Sequence, residues 1–236
     1  MKIEIWSDIM CPFCYIGKRR LESALEDFEF ADQVQIEWKS FLLNPDMVTD
    51  PSKSTLEYLS ETKGWSMAQT KQVSQQVVEM AAGEGLTYHM DKTVVANAKN
   101  AHRLLQLAKT LGKGGEMKER LLKAYFTEGA NIDDQATLVK LAVEVGLPEK
   151  RVIACLGSNE FADKVEQDIY ESRQIGVRGV PFFVVDRKYG ISGAQPKEAF
   201  DQTIRKAWED YMKTNPVLQV AENLDGSSCD VEGNCE

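Results

Sequence analysis

Two cysteines two residues apart, in the stretch SDIMCPFCYIGKRR from Ser7 to Arg20, are the side chains of this sequence best suited to chemistry. Cys11 and Cys14 belong to a set of only five cysteines in 236 residues. A pair at this spacing can be half of a metal knuckle, a structural disulfide or a redox centre. A structural zinc site wants four ligands, from a second close pair or from histidines. The two histidines, His89 and His102, are not spaced as a ligand pair, and the other close cysteines are Cys229 and Cys235 near the end of the chain. Zinc held by Cys11, Cys14, Cys229 and Cys235 is therefore the one metal site the sequence leaves open, and no metal is expected. Five unevenly placed cysteines do not make a disulfide-stapled secreted scaffold. The redox reading fits best.

The elements around the pair support that reading. Ile3 and Ile5 alternate with Glu4 and Trp6 as in a short strand, and CPFCYIGKRRLESALEDF reads as a helix with Pro12 in its first turn. Val34, Ile36 and Trp38 then alternate with Gln35, Glu37 and Lys39 as a second strand. Cys11 falls at the strand-to-helix junction, where unpaired N–H groups and the helix dipole favour an anion. Such positions lower a thiol pKa from about 8.5 into roughly the 3.5–7.5 range. The intervening Pro12 and Phe13 supply no cation, so a moderately activated Cys11 thiolate is expected to attack. Cys14, one turn later, is expected to resolve the mixed disulfide.

Downstream, LNPDMVTDPSKST is rich in turn residues, and from there to about residue 157 only helical periodicity is visible. Ser66 with Gln69 forms a capping box ahead of a stripe of Val73, Val77, Met80 and Ala81. Further stripes are Ala101, Leu104, Leu105, Ala108 and Leu111, then Met117, Leu121, Leu122 and Tyr125. Asp134 caps Leu138, Leu141, Ala142 and Val145, and Pro148 opens a short helix. Asn159 is expected to cap the next one. VPFFVVD and YGIS then form a hairpin before a last helix, PKEAFDQTIRKAWEDYMK. The expected organisation is an α/β domain of residues 1–50 and 158–213, interrupted by an all-helical insertion, 51–157, and followed by a polar tail, 214–236.

A net charge of −9 argues against nucleic acid as partner, and no apolar run approaches the ~20 residues of a membrane span. The opening MKIEIWSD has no apolar core ahead of a small-residue cleavage site, so a cytoplasmic protein is expected.

SDIMCPFCYIGKRRLE, NAKNAHRLLQLAK and GVRGVPFFVVDRKYGISGAQP, with the layout between them, resemble the DsbA-like branch of the thioredoxin-fold superfamily. Within it the chain is most similar to the FrnE-like dithiol–disulfide oxidoreductases, from Met1 to Tyr211. The resemblance implies a thioredoxin-like fold with an inserted helical domain. It also implies a cis peptide before Pro181, opposite the cysteines. Read from the residues alone, Pro181 could equally be a trans proline opening an edge strand. By the resemblance, Val180 offers its backbone to an extended substrate, and Pro12, Phe13, Val180 and Pro181 line the substrate groove. Partners are then disulfide-containing proteins or small molecules, with no bound cofactor and glutathione a candidate reductant.

A sister group, resembling 2-hydroxychromene-2-carboxylate isomerase, carries serine where this chain has Cys11. The rival readings are accordingly a glutathione-dependent isomerase or transferase of a small electrophile, and a non-enzymatic zinc-binding or chaperone-like module. His102 is expected to be a hydrogen-bonded packing residue, His89 a surface residue, and Cys155 a small buried hydrophobe beside Val152 and Leu156. Cys229 and Cys235 are either an auxiliary redox pair or incidental thiols. Their acidic neighbours Asp225, Asp230, Glu232 and Glu236 should raise their pKa and slow their attack.

Overall fold

The computed structural model describes residues 1–215. Strand β1 (Lys2–Ser7) lies centrally in a four-stranded sheet of order β2-β1-β5-β6, with β2 at Gln35–Ser40, β5 at Phe182–Val185 and β6 at Tyr189–Ser192. β2 runs parallel to β1, with Ile3 opposite Ile36 and Ile5 opposite Trp38. β5 runs antiparallel to it, placing Trp6 opposite Phe182. Because β1 and β2 both end on the side where β5 begins, the loops after Ser7 and Ser40 converge there with Val180 and Pro181. That convergence builds the site.

Helix α1 (Pro12–Glu26) returns from this edge along the sheet. It can lie close because Gly17 has no side chain: a Cβ there would sit 3.1 Å from both the Phe183 ring and the Pro181 ring. Gly17→Val should therefore cost about 1–3 kcal/mol by overpacking. A denaturant midpoint indistinguishable from that of the unaltered protein would show the contact to be soft.

The middle of the chain holds α2 (Thr55–Lys63), α3 (Met67–Gly83), α4 (Lys99–Thr110), α5 (Gly114–Phe126), α6 (Gln135–Glu144) and α7 (Glu149–Leu156). Helix α8 (Ala162–Gln174) leads back to the sheet, and α9 (Lys197–Thr214) packs against α1, β5 and β6. The buried hydrophobic side chains form one continuous cluster, from Ile3 and Ile5 of β1 through Leu104, Leu121 and Phe126 to Phe200 of α9.

Several local expectations change. The insertion is not purely helical: β3 (Asp50–Ser54) and β4 (Val94–Val95) form a short antiparallel ribbon. Its sequence, DPSKS, lacks the alternation that marks a strand, and side chains hold the neighbouring chain instead. The Asn97 N–H donates to Thr49 Oγ1 at 2.8 Å, and its side-chain amide donates to the Met47 carbonyl at 2.8 Å. Helix α2 follows directly, closed by a reciprocal capping box between Ser54 and Glu57. Ser66 caps α3 as expected, accepting from the Gln69 N–H, but Met80 points outward while Thr70, Ser74 and Ala81 are buried. Asn159 does not cap α8; Phe161, in the left-handed conformation at φ 63°, occupies that position.

Candidate active site

Cys11 is the N-cap residue of α1, with extended backbone, and Pro12 takes the first helical position, where a missing N–H leaves nothing unpaired. The Cys14 N–H donates to the Cys11 carbonyl at 3.0 Å, which sets the two side chains on one turn. Both thiols are free and almost wholly buried, Cys11 at 4% and Cys14 at 1% exposure. The Val180–Pro181 peptide is cis, and the Cys11 thiol donates to the Val180 carbonyl at 3.4 Å. The structure thus brings Cys11, Cys14, Pro12, Val180 and Pro181 together. Phe13 projects outward at 39% exposure on the rim. Leu43, from the loop after β2, is exposed on the same side, its N–H fixed by Asp8 Oδ2 at 2.7 Å. Cys229 and Cys235 lie outside the described residues.

The electrostatics of the pair involve more than the helix N-terminus. Burial opposes ionisation of Cys14, but hydrogen bonding with Cys11, the Lys118 charge and the Ser7 hydroxyl outweigh it and lower its pKa. Cys11 is pushed well up, by its hydrogen bond with Cys14, by burial, and by repulsion from Cys14 and Asp8. The two sulfurs therefore titrate as one unit, in which the hydrogen bond between them and the Lys118 charge favour ionisation on the inner side. The helix dipole alone, at ~0.3–2 kcal/mol, is too small to decide against a buried cation and an acidic neighbour.

Three residues from the chain's middle, Tyr88, His102 and Lys118, and Asp8 from the β1–α1 loop complete the surroundings. The Tyr88 hydroxyl donates to the Pro12 carbonyl at 2.7 Å, and its ring stacks between Tyr15 and Phe126. Tyr88→Phe should lose about 1 kcal/mol of stability while leaving both thiols in place. Chemical denaturation together with thiol counting would check this, and an unchanged midpoint would deny the bond any role in holding the CPFC turn. Asp8 receives the N–H groups of Leu43 and Met10, at 2.7 and 3.2 Å. His102, from α4, is fully buried with Nε2 3.5 Å from Asp8 Oδ1, and burial keeps its pKa low. Neither of its ring nitrogens finds an aligned hydrogen-bond partner, so His102 is buried as expected but not hydrogen-bonded as expected. Lys118, from α5, has no exposed surface at all.

Sequence reasoning misses Tyr88 and Lys118. Lys118 carries a signal: it falls within the α5 stripe Met117, Leu121, Leu122, Tyr125, a polar residue on an apolar face. Tyr88 carries none, because it lies in a loop whose path only the fold determines. Cys155 is buried, as expected, with its carbonyl accepting from Arg103 at 2.5 Å. His89 is half-buried in the loop before β4.

A βαβ unit continuing into an antiparallel hairpin, with a dithiol at the first helix N-terminus facing a cis-proline, defines a thioredoxin-fold protein of the helically inserted type. Residues 2–205 match the family model of the DSBA-like thioredoxin domain, and the chain belongs to that family. It is 36% identical to a probable DsbA oxidoreductase, SCO1869, from Streptomyces coelicolor, whose structure superposes with a TM-score of 0.84, covering 100% of this chain and 98% of that one. It is also 30% identical to the uncharacterized protein YwbO of Bacillus subtilis, over 86% of this chain and 94% of that protein. The fold is shared at 13% identity with 2-hydroxychromene-2-carboxylate isomerase, with a TM-score of 0.63 over 91% of this chain and 98% of that one. Among the described residues, no helix is long and apolar enough to cross a membrane.

Proposed function

We propose that this protein is a thiol–disulfide oxidoreductase that reduces or isomerises disulfides in proteins or small molecules through Cys11 and Cys14. The observation that carries the reading is the Cys11 thiol held against the carbonyl that precedes cis-Pro181. An extended substrate pairing with Val180 would bring its sulfur to Cys11. Cys11 attacks, passing its proton to Cys14 as it does so. Cys14 then displaces the substrate thiol and closes the protein disulfide. In a reducing compartment such as the cytoplasm the default direction is reduction or isomerisation, with glutathione the candidate reductant and no bound cofactor. FrnE-like chemistry in the finer sense, with Cys229 and Cys235 as an auxiliary pair, belongs to the same proposal.

Titration against a glutathione redox buffer, followed by the fluorescence of buried Trp6, tests it. A single two-electron transition is expected. Displacement of that transition on changing both tail cysteines to serine would bring the tail into the circuit. Absence of any transition, with glutathione still bound, would instead favour the isomerase or transferase reading.

A further inference from the structure

Lys118 is a fully buried ammonium without a carboxylate of its own. Among the described residues its side chain makes one hydrogen bond, a long one of 3.5 Å to the Ser7 carbonyl, and no ion pair. The face of Trp38 also lies close, 5.5 Å from its ring centroid. Buried charges are ordinarily paired, because taking an ion out of water costs several kcal/mol that only an opposite charge offsets.

The charged and titratable groups around Lys118 leave a single candidate. Asp8 is the nearby carboxylate, and its two oxygens already accept from the Leu43 and Met10 N–H groups. His102 from α4 is held neutral by burial. Lys18 on α1 is itself a cation, satisfied by Glu22 and Glu119 at 2.5 Å each. Glu119, the next residue on α5, is taken up by Tyr15, Lys18 and Arg19. Cys11 keeps its proton on the Val180 carbonyl. What remains is the Cys14 sulfur.

We infer that Lys118 is the counter-ion of the reduced dithiol and that its proton follows the redox state, bound when Cys14 is a thiolate and released when the disulfide closes. This rests on the oxidoreductase reading above and adds to it a group supplied by the inserted segment. Burial already brings the Lys118 pKa down to about 8 with the thiol pair beside it, and the disulfide removes the charge that supports even that value. With the substrate on Cys11 as a mixed disulfide, Cys14 releases the proton it took from Cys11 by way of solvent to the first departing substrate thiolate, and the Cys14 thiolate attacks the Cys11 sulfur. The Cys11–Cys14 bond forms, the bond to the substrate sulfur breaks, and the substrate leaves as a thiolate. Lys118, now without a partner, gives up a proton and becomes a neutral amine, and the departing thiolate gains one by way of solvent. Reduction by an external dithiol reverses this: the dithiol is oxidised to its disulfide, and its two hydrogens end on Cys11 and Lys118.

The test uses the full chain with Cys229 and Cys235 changed to serine, so that one pair reports. The midpoint of Cys11–Cys14 against a dithiol buffer is measured from pH 6 to 7.5, roughly the range below the lowered lysine pKa. Thiolate absorbance near ~240 nm is recorded on the reduced protein in parallel. Two protons per electron pair, together with a visible thiolate, are expected, because the reduced state alone holds the Cys11 and Lys118 protons. One proton with a visible thiolate would overturn the inference, since Lys118 would then keep one charge state throughout. Two protons without a thiolate would overturn it too, both then sitting on sulfur. The absence of a transition would remove the oxidoreductase reading and this one with it. Lys118→Met should raise the thiolate titration by about one unit or more and shift the glutathione equilibrium about tenfold towards the disulfide. A folded variant with both values unchanged would likewise overturn it.

Discussion

Cys14→Ser should turn this protein from a catalyst into a trap. Cys11 stands at the N-cap of α1, against the carbonyl before Pro181, so a substrate disulfide lying along that segment meets it first. Once the mixed disulfide has formed, the thiol placed to break it is Cys14, one turn inside the helix; Cys155 is in the buried face of α7. With serine at position 14 the adduct on Cys11 should accumulate, visible as a mass increase equal to the bound thiol and removable by dithiothreitol. Turnover with a disulfide substrate should fall by more than about a thousandfold, because acting groups of one catalytic unit fail together. Cys11→Ser should lose turnover equally and form no adduct. If Cys14→Ser retained turnover with glutathione present, Cys11 would be working alone with glutathione as the resolving thiol. The dithiol mechanism would then be wrong, even though the fold would be untouched.

Much of this site is legible in the amino-acid sequence. The spacing of Cys11 and Cys14, the strand ahead of them and Pro12 between them are local features, and local features survive folding. Pro181 is ambiguous from its residues, and the family resemblance resolves it correctly as cis. The electrostatics are not legible, because they come from residues far apart in sequence. Ser7 ends β1 and Asp8 follows it, His102 is on α4 and Lys118 on α5, and only the packing of α4 and α5 against the sheet brings them to one place. A helix N-terminus predicts an acidified thiol at Cys11; the hydrogen bond between the two sulfurs and a buried lysine on the inner side lower the Cys14 pKa, and these are contacts the sequence does not show. The insertion's ribbon is hidden for a related reason. DPSKS forms β3 through the Thr49 and Asn97 hydrogen bonds beside it and not through its own propensity, whereas Val34, Ile36 and Trp38 mark β2 by alternation alone.

Asp168→Leu should be the most destabilising single change away from the thiols, and the reason bears on how the site is held. Asp168 of α8 is buried beside the sheet, where its Oδ2 receives the Ser40 N–H at 2.8 Å and the Gln106 amide at 2.7 Å. Its backbone carbonyl accepts from the Trp6 indole at 2.8 Å. One residue therefore ties together the ends of β1 and β2, from which the loops carrying Asp8, Cys11 and Leu43 depart. Lys39, 3.5 Å from Asp168 Oδ1, also has Glu4, Glu37 and Glu171 within reach, so it keeps counter-charges when Asp168 is lost. The damage comes instead from two buried donors left without an acceptor, at about 1–3 kcal/mol each. Together they remove a substantial part of the roughly 5–15 kcal/mol that typically holds a domain folded. At about 2–4 °C per kcal/mol for a chain of this size, the melting temperature should fall by roughly 10 °C. Asp168→Asn keeps an acceptor oxygen for Ser40 and should lose less than half as much. Equal losses for the two variants would mean that charge, not acceptor geometry, is what Asp168 supplies. Equality with the unaltered protein would mean that the strand ends are held by the Trp6 indole bond and the apolar core alone. The Ser40 amide should exchange its hydrogen faster in Asp168→Leu than in Asp168→Asn, and this separates the acceptor role from any general loosening of α8.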